Sequence, residues 1–186
     1  TKSTDGGETW SEPTLLDVKK ASEQSLLVGP GRGIVISTGE HKGRIVFTCY
    51  EFTNGDKNSA AIYSDDNGVT WHRGASAKNF SSEAVVTEAD GKLYMFVRRE
   101  NVYYVSNDGG ETWSDPQAMG ISYNATCQLT ATTYSEKING KTAIFFACPS
   151  NTFSRAAGKI YVGLVQDDGS IDWAYDYSIN GSAYYA

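Results

Sequence analysis

Glu83 stands in Phe80-Ser81-Ser82-Glu83-Ala84-Val85-Val86, a carboxylate opening an apolar, strand-like run. A carboxylate so placed can take a proton from a neighbouring group, and it can equally be a solvated loop acid. Arg98 ends the following run, after a turn at Asp90-Gly91, and is followed by Arg99 and Glu100. A surface ion pair between Arg99 and Glu100 is worth little. It leaves Arg98 to project to the opposite face, because neighbouring strand residues alternate. Arg155 lies in Ser150-Asn151-Thr152-Phe153-Ser154-Arg155-Ala156-Ala157-Gly158-Lys159, where by itself it reads as an exposed loop arginine. These residues stand far apart in the sequence, and only an architecture that gathers them could build a site.

What gathers them is a repeat. Ser3-Thr4-Asp5-Gly6-Gly7-Glu8-Thr9-Trp10, Ser64-Asp65-Asp66-Asn67-Gly68-Val69-Thr70-Trp71 and Ser106-Asn107-Asp108-Gly109-Gly110-Glu111-Thr112-Trp113 share the pattern Ser-x-Asp-x-Gly-x-Thr-Trp. Ser and Asp side chains fold onto nearby backbone amides, and Gly supplies the positive φ of a tight turn. Thr and Trp then begin a strand. A decayed copy ends at Trp173, with Gln166, Asp168, Ser170 and Asp172 in the patterned positions. The Trp-to-Trp steps run long, short, long, so loops of different length separate regular β units. That describes a propeller, whose blades are antiparallel sheets.

Between the copies the order repeats. Ile34 to Ser37, Arg44 to Tyr50 and Ala60 to Tyr63 lead into the second copy, a unit of about Pro30 to Gly74. Glu83 to Glu88, Leu93 to Arg98 and Val102 to Val105 lead into the third, with Asp90-Gly91 as a two-residue hairpin turn. Cys127 to Tyr134, a turn at Asn139-Gly140, Thr142 to Cys148 and Ile160 to Val165 lead into the decayed copy. The first strand of each unit is expected nearest the axis. Gly31 to Gly33, Ser82-Glu83 and Cys127-Gln128 then face the central mouth, and second strands return to that face after Arg98 and near Pro149 to Arg155.

Composition narrows the classes. The chain of 186 residues can bury a core, and nothing in it repeats at helical spacing. No apolar run reaches membrane-spanning length, and no leader opens the chain. A net charge of −6 with scattered Lys and Arg argues against a nucleic-acid partner. Cys49, Cys127 and Cys148 follow no metal or CxxC spacing and read as buried apolar thiols. His41 and His72 read as surface residues. The repeat lacks the spaced acids and terminal Glu of a calcium loop, so no metal or cofactor is expected. The chain opens on a repeat and stops within the strand-like Ser182-Ala183-Tyr184-Tyr185-Ala186, so it reads as a piece, residues 1–186, of one larger propeller domain.

The repeated phrase is the Asp-box, and the chain resembles the bacterial exo-α-sialidase family. Gly29-Pro30-Gly31-Arg32-Gly33-Ile34, then Glu83, Arg98, Cys127-Gln128 and Arg155, match that family's phrases in order and between the right boxes. The stretch from Glu88 to Asp90 is a residue shorter than usual, which leaves Arg99 as a competitor to Arg98. The resemblance implies an all-β, partial six-bladed β-propeller of about three complete four-stranded antiparallel blades plus flanking pieces. It implies an exported enzyme, secreted, periplasmic or at the cell surface, acting on sialylated glycans. Glu83 would be the base to a tyrosine nucleophile, and Arg98 and Arg155 members of an arginine triad, with Gln128 also at the substrate. The first arginine and acid/base aspartate would precede Thr1. The tyrosine would follow Ala186, with Tyr185 a weaker candidate, so the isolated chain is expected to be inactive. Hydrolysis and transfer, including transfer within the sugar, would use the same residues. A non-catalytic, glycan-binding Asp-box propeller is the reading from another class, and it requires no convergence of Glu83, Arg98 and Arg155.

Overall fold

The computed structural model describes residues 1–77 and 82–179. Tyr185, and the segment 78–81 that precedes the Ser82-Glu83 step, lie outside the described residues. Among those described there are thirteen strands: β1 (Ser25–Val28), β2 (Ile34–Val35), β3 (Ile45–Thr53), β4 (Asp56–Ser64), β5 (His72–Arg73), β6 (Ala84–Ala89), β7 (Lys92–Val97), β8 (Val102–Ser106), β9 (Gln117–Ala118), β10 (Thr130–Thr133), β11 (Ala143–Pro149), β12 (Gly158–Val165) and β13 (Ile171–Ser178). They form three antiparallel sheets: in the first, β1 and β2 both pair with β3, followed by β4 and β5, while β6 to β9 and β10 to β13 are each ordered as in the chain. No helix long and apolar enough to cross a membrane is present among the described residues.

Strand alternation feeds two cores at once. Along β7, Leu93, Met95 and Val97 pack toward the first sheet, while Tyr94 and Phe96 pack toward the third. All five are essentially inaccessible to water. Val86 and Val85 divide in the same way, Val86 meeting Val46 and Ile36, Val85 joining Phe96 and Phe146. A one-residue slip would exchange the two sets, so burial on both faces fixes the register. Phe96 sits with ring centroids 5.2 Å from Phe146 and 5.9 Å from Tyr103, within the range of favourable aromatic pairs.

The turns follow their sequences. Asp90-Gly91 and Asn139-Gly140 both have positive φ at both positions, the twist that a two-residue hairpin requires. Asn54-Gly55 does the same between β3 and β4, a hairpin that the sequence reading does not anticipate. The first inner strand also begins earlier than Ile34. Ser25–Val28 pairs with the outer half of β3, the phrase at residues 29–33 interrupts the ladder, and Ile34–Val35 resumes it. Gly33 has to be glycine because a Cβ there would lie 2.6 Å from the Phe47 ring.

The inner strands are bound to one another. Glu88 accepts hydrogen bonds from the backbone N–H and hydroxyl of both Ser37 and Thr38. Burial opposes its charge, but those four bonds outweigh it and hold the carboxyl below its usual range. Thr87 and Thr133 hydrogen-bond each other at 2.8 Å across the next junction.

Each Asp-box closes on itself, the second, the third and the decayed copy doing so between the last two strands of their sheets. In the second box Asp66 accepts from the Thr70 N–H and hydroxyl, and the Ser64 hydroxyl receives the Gly68 N–H. The Thr70 bonds hold the Asp66 carboxyl down to about 2. Trp71 donates its indole N–H to Gly68 O at 3.2 Å, as Trp10 does to Gly7 O. In the decayed copy Asp168 still accepts from the Ser170 N–H and hydroxyl. Arg44 joins two boxes: it forks onto Asp65 at 2.8 and 2.9 Å and reaches Glu111 at 3.0 Å. Because strands alternate in direction, the boxes share an end with the Asp90-Gly91 turn, and Glu83 and Arg98 lie at the other end.

The three cysteines are free and buried. Burial pushes the Cys49 and Cys148 thiols up to about 12. His72 is exposed against Tyr63, and His41 is half-buried.

Candidate functional site

Glu83 immediately precedes β6 and Arg98 immediately follows β7, so the hairpin brings them opposite each other. The Arg98 backbone N–H donates to Glu83 O at 2.9 Å, one step beyond the named ladder. Their side chains meet as well, Arg98 Nη1 lying 2.7 Å from Glu83 Oε2, with exposures of 21% and 26%. The pair is therefore reachable from water and shielded enough for its charges to matter. Pro30, Ala84, Val85, Gln128 and Leu129 complete the crevice around it. These residues come from the inner positions of three successive blades.

The structure separates the two competing arginines. Arg98 carries the ion pair, while Arg99 is exposed with φ +76° and donates its backbone N–H to Ala125 O at 2.6 Å. No ion pair joins Arg99 to Glu100 among the described residues, contrary to the surface-pair reading of the sequence. The positive φ at Arg99 turns the chain directly after Arg98.

Gln128 joins Glu83 and Arg98 in the crevice. Its strand is shorter than the sequence suggests: β10 begins at Thr130, and Cys127-Gln128 lies in the loop leading to it. Arg155 occupies the equivalent end of the third sheet, on the loop from β11 to β12, and is exposed. Among the described residues no contact joins Arg155 to Glu83 or Arg98. The loop is nevertheless built: Asn151 Oδ1 accepts from the Phe153 and Ser154 N–H groups, and Ser150 N–H and hydroxyl both reach Ala157 O.

Sequence reading missed two contributors. Thr126 presents its carbonyl to Arg98 Nε at 2.9 Å. Pro30 comes to the crevice because the phrase at residues 29–33 breaks the inner strand there. The Asn124-Ala125-Thr126 phrase holds the only sequence signal for the first, since Asn favours a local turn. No cluster able to hold a metal ion is present among the described residues.

The chain matches the BNR repeat-like domain family over residues 1–174. It is 37% identical over 199 aligned residues to the anhydrosialidase of Macrobdella decora, covering 96% of this chain and 25% of that protein. It is 30% identical to a sialidase of Bacteroides fragilis, covering 96% of this chain and 34% of the relative. The intramolecular trans-sialidase of Ruminococcus gnavus, solved with oseltamivir carboxylate, superposes with a TM-score of 0.86 at 34% identity, over 97% of this chain and 40% of that one. The chain thus spans about a quarter to two-fifths of the length of these proteins. Box hairpins, up-and-down antiparallel blades and alignment over nearly the whole of this chain agree, and the chain belongs to the BNR repeat-like domain family.

Proposed function

We propose that the protein containing this chain is an exo-α-sialidase that releases terminal sialic acid from glycoconjugates. The observation that carries this reading is the Glu83–Arg98 pair, 2.7 Å apart at the axial ends of neighbouring strands, with Gln128 beside it. A sialic acid bears a carboxylate on its anomeric carbon. That group calls for fixed positive charge, supplied here by Arg98 and, from the third blade, Arg155. It would also repel a carboxylate nucleophile, and the phenol of a tyrosine avoids that repulsion. A phenol is weakly nucleophilic near neutral pH and has to lose its proton to a neighbour. Glu83 is that acceptor: its carboxylate takes the phenolic proton as the oxygen bonds to the anomeric carbon, and the aglycone leaves with a proton from the acid/base aspartate that the resemblance implies. Water, losing a proton to that aspartate, then displaces the tyrosine, which recovers its proton from Glu83, with net retention.

Transfer within the sugar is the second reading. It is favoured by the 37% identity to a protein named anhydrosialidase and the 0.86 TM-score to an intramolecular trans-sialidase. A hydroxyl of the sugar's own side chain would replace water in the second step, giving an anhydro product one water lighter. Mass spectrometry of the product from a sialyllactose separates the two.

The test of the site is Glu83→Gln in the full-length protein. It removes the proton acceptor and preserves shape, so turnover should fall by roughly 10²-fold or more while sialic-acid binding persists. Arg155→Ala should weaken binding and lower kcat/KM by about 2 kcal/mol with kcat little changed, because a carboxylate contact exists in both ground and transition states. Kinetics on a chromogenic sialoside and calorimetric binding measure both. Near-normal turnover in Glu83→Gln would make Glu83 a loop acid and overturn the reading.

A further inference from the structure

We infer that Asn124 is a positioning residue for Arg98, an inference that rests on the substrate-binding role proposed for that arginine. Asn124 is buried, 5% exposed, in the loop entering the third blade. Its Oδ1 accepts from both the backbone N–H of Thr126 at 3.0 Å and the Thr126 hydroxyl at 2.6 Å. The backbone closes the same turn, Cys127 N–H reaching Asn124 O at 3.3 Å. A side-chain oxygen that mimics a backbone turn in this way fixes the direction of the carbonyls inside it. Those carbonyls are the ones that hold the arginines: Thr126 O receives Arg98 Nε, and Ala125 O receives the Arg99 N–H. Asn124 N–H in turn donates to Pro149 O at 2.8 Å, at the root of the loop that carries Arg155.

The consequence concerns orientation. A guanidinium held at Nη1 by Glu83 and at Nε by Thr126 O has its plane fixed, because two separated anchors on a planar group leave little rotation. Pre-setting that plane removes an ordering cost from carboxylate binding. Without Asn124 Oδ1 the turn loses two of its bonds, the Thr126 carbonyl is no longer aimed, and Arg98 loses its anchor at Nε.

The experiment is steady-state kinetics on a chromogenic sialoside with the full-length protein. Asn124→Ala should raise KM about tenfold with kcat changed less than about threefold, because the carboxylate contact is made in ground and transition states alike. Asn124→Asp keeps the acceptor oxygen and should restore KM to within about threefold of the starting protein, since Asp serves such turns as Asn does. In an Arg98→Lys background, which lacks the Nε–H, Asn124→Ala should add less than about twofold. Where Asn124→Ala does not fold, Thr126→Val removes one of the two bonds to Oδ1 and should move KM the same way by a smaller factor. Equal loss from Asn124→Ala in the parent and in the Arg98→Lys background, or failure of Asn124→Asp to rescue, makes Asn124 a general structural residue and overturns the inference. Wild-type kinetics in Arg98→Lys alone would instead refute the substrate-binding role of Arg98.

Discussion

Replacing Arg44 tests what holds neighbouring blades together. The side chain is 5% exposed and lies 4.1 Å from the centroid of the Tyr63 ring. Besides Asp65 and Glu111, it donates to the carbonyls of Asp108 and Gly109 at 3.2 and 3.3 Å. Burial disfavours its charge, but Asp65 and Glu111 outweigh that and raise its pKa. Arg44→Met keeps the aliphatic packing and removes every polar contact. Asp65 and Glu111 are 51% and 44% exposed, so water recovers much of what they lose. Each such contact is then worth about 1 kcal/mol or less. The carbonyls are harder to rehydrate, and one unsatisfied buried acceptor costs about 1–3 kcal/mol. Lost contact with the Tyr63 face adds about 0.5–1 kcal/mol. Together these put Arg44→Met at about 3 kcal/mol of lost stability, consistent with removing one partner from a buried ionic cluster. Arg44→Lys keeps a point charge without the fork and should cost about 2 kcal/mol. Urea unfolding of the purified variants measures both. A loss below about 1 kcal/mol for Arg44→Met would show that the boxes are held by their own hydrogen bonds and that the bridge between them is incidental. Because Arg44 lies at the end away from Glu83, kcat/KM of the folded variants should be unchanged.

Two further predictions concern buried charge and backbone. Glu23 and Glu51 share the Arg73 guanidinium at 3.3 and 3.2 Å, and Glu23 is 3% exposed. Burial, then the hydrogen bond to Glu51, raises the Glu23 pKa above its ordinary 4.5; burial also opposes Glu51, but its hydrogen bonds prevail and lower it. Glu23 therefore contributes stability at acid pH that is lost as pH rises through its raised value, and Glu51 contributes stability that is lost as pH falls below about 4.5. Glu23→Gln should gain stability relative to the parent as pH rises toward 8, and the deficit of Glu51→Gln should shrink as pH falls toward 3; denaturant midpoints that move in parallel across that range would refute the pairing. Arg99→Gly should stabilise the fold by about 1 kcal/mol, because Arg99 holds a left-handed φ that costs an L-residue about that much, and a lower melting temperature would refute that account.

Much of this fold is legible because its signals are local. Asp90-Gly91 and Asn139-Gly140 state their own turn type, and each box carries its Ser, Asp and Thr within one turn. Asn54-Gly55 carries the same signal, yet the strands around it look unlike strands: Glu51, Asp56, Lys57 and Asn58 interrupt the apolar alternation. What makes that hairpin strand-like is the distant Arg73, which neutralises Glu51 in the interior, and Asn58, which donates to Glu51 Oε1 at 3.2 Å. Such compensation is long-range and invisible in a run of residues. The candidate site divides in the same way. Glu83 and Arg98 are legible from their places on either side of one hairpin, whereas Thr126 contributes a backbone carbonyl, which every residue possesses and no sequence marks. Arg155 is legible as a loop residue, but its relation to the other two depends on how far one loop leans.

The alternation of strand direction has an evolutionary consequence. At one end, each boxed connection is a clasp whose spacing the hydrogen bonds dictate to the residue: a box cannot gain or lose a position without breaking the Ser64–Gly68 or Asp66–Thr70 bond. At the other end the connections share no common clasp, and loops as unlike as residues 99–101 and 150–157, each with its own hydrogen bonds, occupy equivalent places. Insertions there lengthen the approach to Glu83 and Arg98 without loosening the opposite rim. A scaffold whose boxes are fixed and whose loops at the far end differ can alter what reaches Glu83 and Arg98 while keeping the same blades.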